Sequence, residues 1–364
     1  MEFSLQSTKG SVALGVWLAG SGRTSPEHAS QWRNRPGVAP GSPSHDEVVV
    51  SIDRMHLCHP VPVLDQDHAA PATPAAAGAT RGRPDRCPGV TRPWLADDGA
   101  LVRLRLVGGV LPTPGLRTLM ELAEEYGDSA LHLTSRANVQ IRSVPHRDGV
   151  LPPAFVAGVR ASGVLPSMSH ELVRNVMVSP LSGRVGGRAD LRPAAVQLDR
   201  LLLADPSCAD LSGRFLFLLD DGRGDLLDRA SDLAAVAVDA DTVQVRAGSD
   251  QWGRVVEVSE AAGVLHSLVR RFLALRGDGP AAAWHVDELD VPLLDHDRDE
   301  RTQVTSPRPP HGLLRQVDGR STEHIDVPEG RLDADLAARL LERAGDELVV
   351  TPWHSVLMPD LEAR

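Results

Sequence analysis

The residues with the most chemistry to offer lie between Asp98 and Ser143. Residues 98–106 read Asp-Gly-Ala-Leu-Val-Arg-Leu-Arg-Leu, an alternation of strand period that carries Arg103 and Arg105. Farther on, Leu131-His-Leu-Thr134-Ser-Arg136-Ala-Asn138-Val-Gln140-Ile-Arg142 reads as one continuous strand. Side chains alternate along a strand, so Thr134, Arg136, Asn138, Gln140 and Arg142 share one face, and Val139 and Ile141 take the other. One hydroxyl, two guanidiniums and two amides make poor core. They suit an anion-reading surface, because the planar guanidinium fork matches a carboxylate. The competing reading is a strand face that simply meets water.

The flanking pattern supplies the elements that would position this row. Thr113-Pro114 offers an N-cap and a first-turn proline. Leu116, Leu119, Met120, Ala123 and Tyr126 follow at helical spacing, and Gly127 offers a C-cap. The pattern then recurs. Residues 318–360 repeat Asp-Gly, a strand to Val327, Gly330, a helix with Leu336, Leu340, Leu341 and Ala344, and a strand ending in Thr351-Pro352-Trp353-His354. Gly109 to Thr134 covers 25 positions and Gly330 to Thr351 covers 21, a difference close to one helical turn. Two strand–helix–strand units predict a pseudo-symmetric pair with a shared cleft, which favours the binding face over the solvated one.

Asp-Gly-x-Leu-x-Arg-x-Arg, Gly-Gly and Leu-Thr-Ser-Arg-x-Asn-x-Gln-x-Arg resemble the ferredoxin-like half-domain of nitrite and sulfite reductases. Arg86-Cys87-Pro88-Gly89-Val90, Arg174-Asn175-Val176 with Ser179-Pro180-Leu181, and Thr351-Pro352-Trp353 narrow the resemblance to the precorrin-3B synthase branch, over about residues 84–360. The resemblance implies an α+β fold: two ferredoxin-like half-domains related by pseudo-two-fold symmetry, with an inserted α+β domain. It implies an oxidoreductase of cobalamin biosynthesis that hydroxylates precorrin-3A with O2 and forms a lactone. The substrate would be an anionic tetrapyrrole. Arg103, Arg105, Arg136, Arg142 and Arg174 are the candidates to hold its carboxylates, with Asn138 and Gln140 orienting it. Asn175 and His354 complete the set. Relatives usually carry arginine after Trp353, and His354 in that place is only partly charged near neutrality.

The resemblance also implies a [4Fe–4S] cluster and iron, held by paired cysteines beyond the Thr-Pro-Trp strand. This sequence ends at Arg364 with three cysteines that match neither pair. It therefore reads as C-terminally truncated, with no cluster bound by this chain alone, since a cubane cluster takes four ligands. A cysteine-bearing partner chain and an electron donor are then expected partners. Ser179 stands where nitrite and sulfite reductases commonly have cysteine, and a hydroxyl cannot replace a soft thiolate. That disfavours siroheme-dependent nitrite or sulfite reduction. The other alternative is a catalytically incomplete tetrapyrrole-binding protein or a split-enzyme subunit.

Composition narrows the field further. The chain has 364 residues, 42% hydrophobic and 24% charged, which is ordinary for a globular protein with a sizeable core. Its net charge of −11 argues against general nucleic-acid binding, since no basic surplus displaces counterions. It also makes local arginine clusters informative, because an anion needs a field opposite to the protein's own. Cys58, Cys87 and Cys208 are scattered, which suggests a reducing cytoplasm. No apolar run approaches the roughly 18 residues of a membrane span.

Along the chain, residues 1–84 read as a disordered or weakly structured extension. Within it, Met55-His56-Leu57-Cys58-His59 groups three potential metal ligands without a fourth. Residues 85–163 form the first half-domain, 164–276 a middle α+β domain, 277–316 a linker and 317–364 an incomplete second half-domain. In the middle region, helices are expected near Pro193–Leu203 and from Ser259, strands at Arg214–Leu219, Leu233–Asp239 and Thr242–Ala247. Asp220, Asp221 and Asp225 read as a solvated acidic turn, and His266 as a packing or surface residue.

Overall fold

The computed structural model describes residues 85–306 and 308–362. The extension expected at 1–84, with its His56/Cys58/His59 grouping, lies outside the described residues. In chain order, β1 (Trp94–Ala96) and β2 (Gly99–Leu104) form a hairpin, followed by short β3 (Val110–Pro112) and helix α1 (Thr113–Tyr126). Then come β4 (Ala130–Leu133), β5 (Val139–Val144), α2 (Pro153–Ala161) and β6 (Val176–Val178). The middle region continues through α3 (Arg192–Ala204), β7 (Phe217–Asp220), β8 (Leu233–Ala237), β9 (Thr242–Ala247), β10 (Gln251–Glu257) and α4 (Ala261–Leu275). The second copy contributes β11 (Gly312–Arg315), β12 (Ser321–Asp326), β13 (Arg331–Asp333), α5 (Ala334–Leu341), β14 (Glu347–Val350) and β15 (Ser355–Leu361).

The two copies build sheets of matching order, β1-β2-β5-β4-β13 and β11-β12-β15-β14-β3. Each sheet is completed by a short strand from the other copy. β3 pairs with β14 through Leu111 and Leu348, and β13 pairs with β4 through Leu332 and Leu131. Backbone detail repeats as well. Positive φ recurs at Ala137 and His354 (55° and 58°), and at Ser143 and Asp360 (60° and 62°). The pseudo-two-fold α+β architecture is therefore present in the backbone itself. One core serves both copies, with Leu104, Leu116, Leu119 and Ile141 packing alongside Leu332, Leu340, Leu348 and Val356. Each such side chain contributes about 1.5–3 kcal/mol by leaving water. The third sheet, β10-β9-β8-β7-β6, is parallel across β6–β8 and antiparallel beyond, and packs α3 and α4 through Leu198, Leu202, Leu265 and Phe272.

Several local expectations are corrected. Residues 131–142 are not one strand but the hairpin β4–β5, reversed at Thr134–Asn138. The Thr134 hydroxyl accepts from the Arg136 and Asn138 amides at 3.3 and 3.2 Å, and Ala137 turns left-handed. Alternation of residue types ran on through the turn and hid it. Thr113 does not cap α1; it is the first helical residue, and its hydroxyl donates to the Gly345 carbonyl at 2.6 Å. Helix α5 has 8 residues against 14 in α1, a larger shortening than one turn.

The exchange of short strands brings two backbones into contact at Gly109, where φ is +72° and a Cβ would lie 2.2 Å from the Val350 carbonyl oxygen. Only glycine tolerates both conditions. Gly109→Ala should destabilise the fold by about 2–4 kcal/mol in urea titration. The equivalent Gly330→Ala, whose nearest contact is a looser 3.2 Å to the His354 Cβ, should cost less. Equal, small effects would show that the contact carries no strain.

Candidate functional site

The β4–β5 turn distributes the expected row over three environments. Gln140 and Arg142 lie on one face of β5, where Arg142 donates to Gln140 Oε1 at 3.2 Å and Arg103 stands opposite Gln140 across the β2–β5 ladder. These three form one polar strip. His132 faces Gln140 from β4, and Arg331 of the second copy faces His132. Arg136 projects from the turn and donates to the Arg214 carbonyl oxygen at 3.0 Å. Asn138 folds inward instead. Its Oδ1 accepts from the Leu106 amide at 2.9 Å, so it fixes the β2–β3 connection, and its buried Nδ2 has no partner among the described residues.

Arg105 is the centre of the arrangement. It lies just past the end of β2 and is 3% exposed. Its Nε donates to Asn175 Oδ1 at 3.1 Å and its Nη1 to the Pro88 carbonyl oxygen at 3.0 Å, while Nη2 has no hydrogen-bond partner among the described residues. Burial pushes the guanidinium down to about 10; the neighbouring Arg103 and Arg136 charges act in the same direction, and Cys87 and Glu171 act against it. Asn175 is held from the other side, donating to the carbonyls of Leu172, Gly213 and Phe215. It is a strut between the first copy and the middle region.

Arg174 points elsewhere. Its guanidinium makes a two-point ion pair with Asp199 on α3, at 2.6 and 3.0 Å, and donates to the Val164 carbonyl oxygen. Arg105 and Arg174 nonetheless meet at one cavity of about 710 Å³, also lined by Leu106, Val110, Arg192, Arg200 and Glu347. His354 sits at the left-handed position of the second turn against Gly330, and Trp353 takes the place that Arg136 has in the first. The structure thus unites Arg103, Gln140 and Arg142, joins Arg105 to Asn175, and keeps His354 with the other copy. Arg214 and Arg229, which fasten the turn through carbonyls at Arg214, Ser135 and Pro352, went unread in the sequence because no local spacing marks them.

The acidic turn also differs from expectation. Asp220, Asp221 and Asp225 are buried at 0%, 0% and 6% exposure, not solvated. The Ser179 hydroxyl donates to Asp225 at 2.7 Å and accepts from the Asp221 amide. Arg223 pairs with Asp221 at 2.8 Å, and three backbone amides hold Asp220. Loop closure over β7 thus replaces water with designated donors. Burial, reinforced by Asp220, pushes the Asp225 carboxyl up to about 7.

A cubane cluster does not fit the donor set. The chain has three cysteines, and among the described residues no grouping of three metal-binding side chains contains both Cys87 and Cys208. No described helix is long and apolar enough to cross a membrane.

Comparison with known proteins places this geometry in a family context. Residues 95–148 match the family model of the nitrite/sulfite reductase ferredoxin-like half domain. The Asp-Gly-x-Leu-x-Arg-x-Arg and Thr-Ser-Arg-x-Asn-x-Gln motifs fall within this matched segment. A precorrin-3B synthase from Sinorhizobium sp is 29% identical over 160 residues, 42% of this chain and 32% of that protein. The match thus spans about a third of the relative's length. The structure of the Mycobacterium tuberculosis NirA protein shares the fold, with a TM-score of 0.59 at 19% identity over 74% of this chain and 56% of that one.

Two outcomes test the site's physical description. Asn175→Ala removes four hydrogen bonds and leaves carbonyls buried, so it should destabilise the protein by about 2–4 kcal/mol in urea titration. For Asp225, the folded carboxyl holds a proton that the unfolded chain releases above about pH 4. Its stabilisation is complete below that pH and is lost as pH rises towards 7. Asp225→Asn should therefore gain on the parent by about 1–3 kcal/mol between pH 5 and pH 8; a pH-independent difference would contradict the assignment.

Proposed function

We propose that this chain is a precorrin-3B synthase-like oxidoreductase of cobalamin biosynthesis, acting on precorrin-3A by O2-dependent hydroxylation and lactonisation. In this reading an anionic tetrapyrrole lies against the polar strip and the Arg105–Arg174 cavity. Arg103, Arg105, Arg136 and Arg142 neutralise its carboxylates, Gln140 orients it, and Asn138 and Asn175 hold the frame. The observation that carries the reading is Arg105: a buried cation near Arg103 and Arg136, only partly offset by Glu171 and Cys87, with Nη2 lacking a hydrogen-bond partner among the described residues. Such a group raises the free energy of the empty protein, and an arriving carboxylate lowers it by supplying the missing charge-assisted bond. The similarity to precorrin-3B synthase supports a corrin precursor among polycarboxylates.

The cysteine count favours a second reading, in which this chain binds the tetrapyrrole and a cysteine-bearing partner supplies the redox centre. Fluorescence titration with a uroporphyrinoid tests what both readings share. Arg105→Gln should weaken binding by about 10–100-fold, as loss of one buried charge-assisted contact requires. Unchanged affinity would remove the site from both. Turnover of precorrin-3A by the purified chain under O2 separates them: product supports the synthase reading, and binding without product supports the partnered one.

A further inference from the structure

The connection after α3 gathers donors that the tetrapyrrole cleft does not use. Asp205, Cys208 and His266 each present one ligand atom, and these atoms lie within 4.8 Å of one another. Asp205 precedes a 3-10 turn over Pro206–Asp210. With about three residues per turn, positions i and i+3 stack on one side, so the carboxylate and the Cys208 thiol are neighbours by construction. His266 comes from the second turn of α4, with Nε2 3.0 Å from Asp205 Oδ2.

We propose that Asp205 Oδ2, Cys208 Sγ and His266 Nε2 form a binding site for a zinc ion, with water completing a tetrahedron. The donor set suits that ion: one thiolate, one imidazole and one carboxylate, with bond lengths of about 2.0–2.3 Å. Ligand atoms around such a centre stand about 3–4 Å apart, so a small closure of the present spacing accommodates it. The second Asp205 oxygen is already fixed, accepting from the Ser207 amide at 3.0 Å and the Ser207 hydroxyl at 2.6 Å. That leaves Oδ2 aimed at the shared space, an orientation that metal-binding carboxylates need. Arg270 approaches Oδ2 at 3.8 Å, but its side chain is 70% exposed and free to swing outwards. The ion displaces the thiol proton to solvent, so affinity rises with pH. His170 touches the same corner, with Nε2 3.1 Å from the Asp205 carbonyl oxygen. A metal here would pin α3 to α4 beside the segment that carries Arg174.

The test uses the full chain, reduced, stripped with chelator and titrated with Co2+. One equivalent should give a thiolate-to-cobalt absorption band and tetrahedral visible bands, both abolished by excess Zn2+. Cys208→Ser should remove the thiolate band, and His266→Gln, a milder change on a half-buried helix face, should weaken cobalt binding at least about tenfold. Cys58→Ser and Cys87→Ser should leave the band intact. Zinc should also raise the melting temperature of the parent and not of His266→Gln. Absence of a thiolate band, or a band lost with Cys58 or Cys87 in place of Cys208, would overturn the proposal.

Discussion

The fold depends on two short strands that change places. β3 is made by the first copy but hydrogen-bonds in the second copy's sheet, and β13 does the reverse. Neither sheet is complete without its counterpart, and Gly109 must pass directly over the Val350 carbonyl for the exchange to occur. A shared core follows, because Leu111, Leu332 and Leu348 are buried by residues of both copies. With one core there is one relative orientation. The β4–β5 turn, fastened through Asn138 to the β2–β3 connection, is then fixed against the rest by the same contact that fixes the sheets.

That rigidity matters for charge. Arginine beside arginine in a buried place is costly, since guanidiniums repel and have lost their water. A flexible site would relax by turning Arg105 out. Here Asn175 and the Pro88 carbonyl hold it in, and Asn175 is itself held by three carbonyls. The anchoring bonds go to Nε and Nη1, which leaves Nη2 to whatever arrives. The net charge of −11 would turn anions away from most of the surface, so a local positive cluster also decides where an anion lands.

Much of this was legible in residue order. The duplicated Gly–helix–Thr pattern announces two related units, and their backbones agree down to the left-handed residues of the turns. What stayed hidden has two causes, turn geometry that residue types do not encode and contacts between residues distant in sequence. The Thr134 turn looked like strand because alternation of polar and apolar types does not encode direction of travel. The acidic residues at 220–225 looked solvated because part of what encloses them, the Ser179 hydroxyl bound to the Asp221 amide and the Asp225 carboxylate, comes from 42 and 46 positions earlier. The Asp205 carboxylate beside His266 was equally out of view, 61 positions earlier.

Arg174 shows how such a long-range partner changes a role. Arginine before Asn175 was expected to reach the ligand, yet its fork is filled by Asp199 at two points. Freeing it would break a largely buried ion pair, which costs about 3–5 kcal/mol when nothing replaces the lost partner. A ligand carboxylate arriving in the same cavity is such a replacement, because it offers the guanidinium the same geometry that Asp199 does. Such an exchange would leave Asp199 without its partner, whereas Arg105 would gain a bond it did not have. In the proposed reading the first contact with an anion therefore belongs to Arg105, and Arg174 with Asp199 on α3 forms a wall of the same cavity.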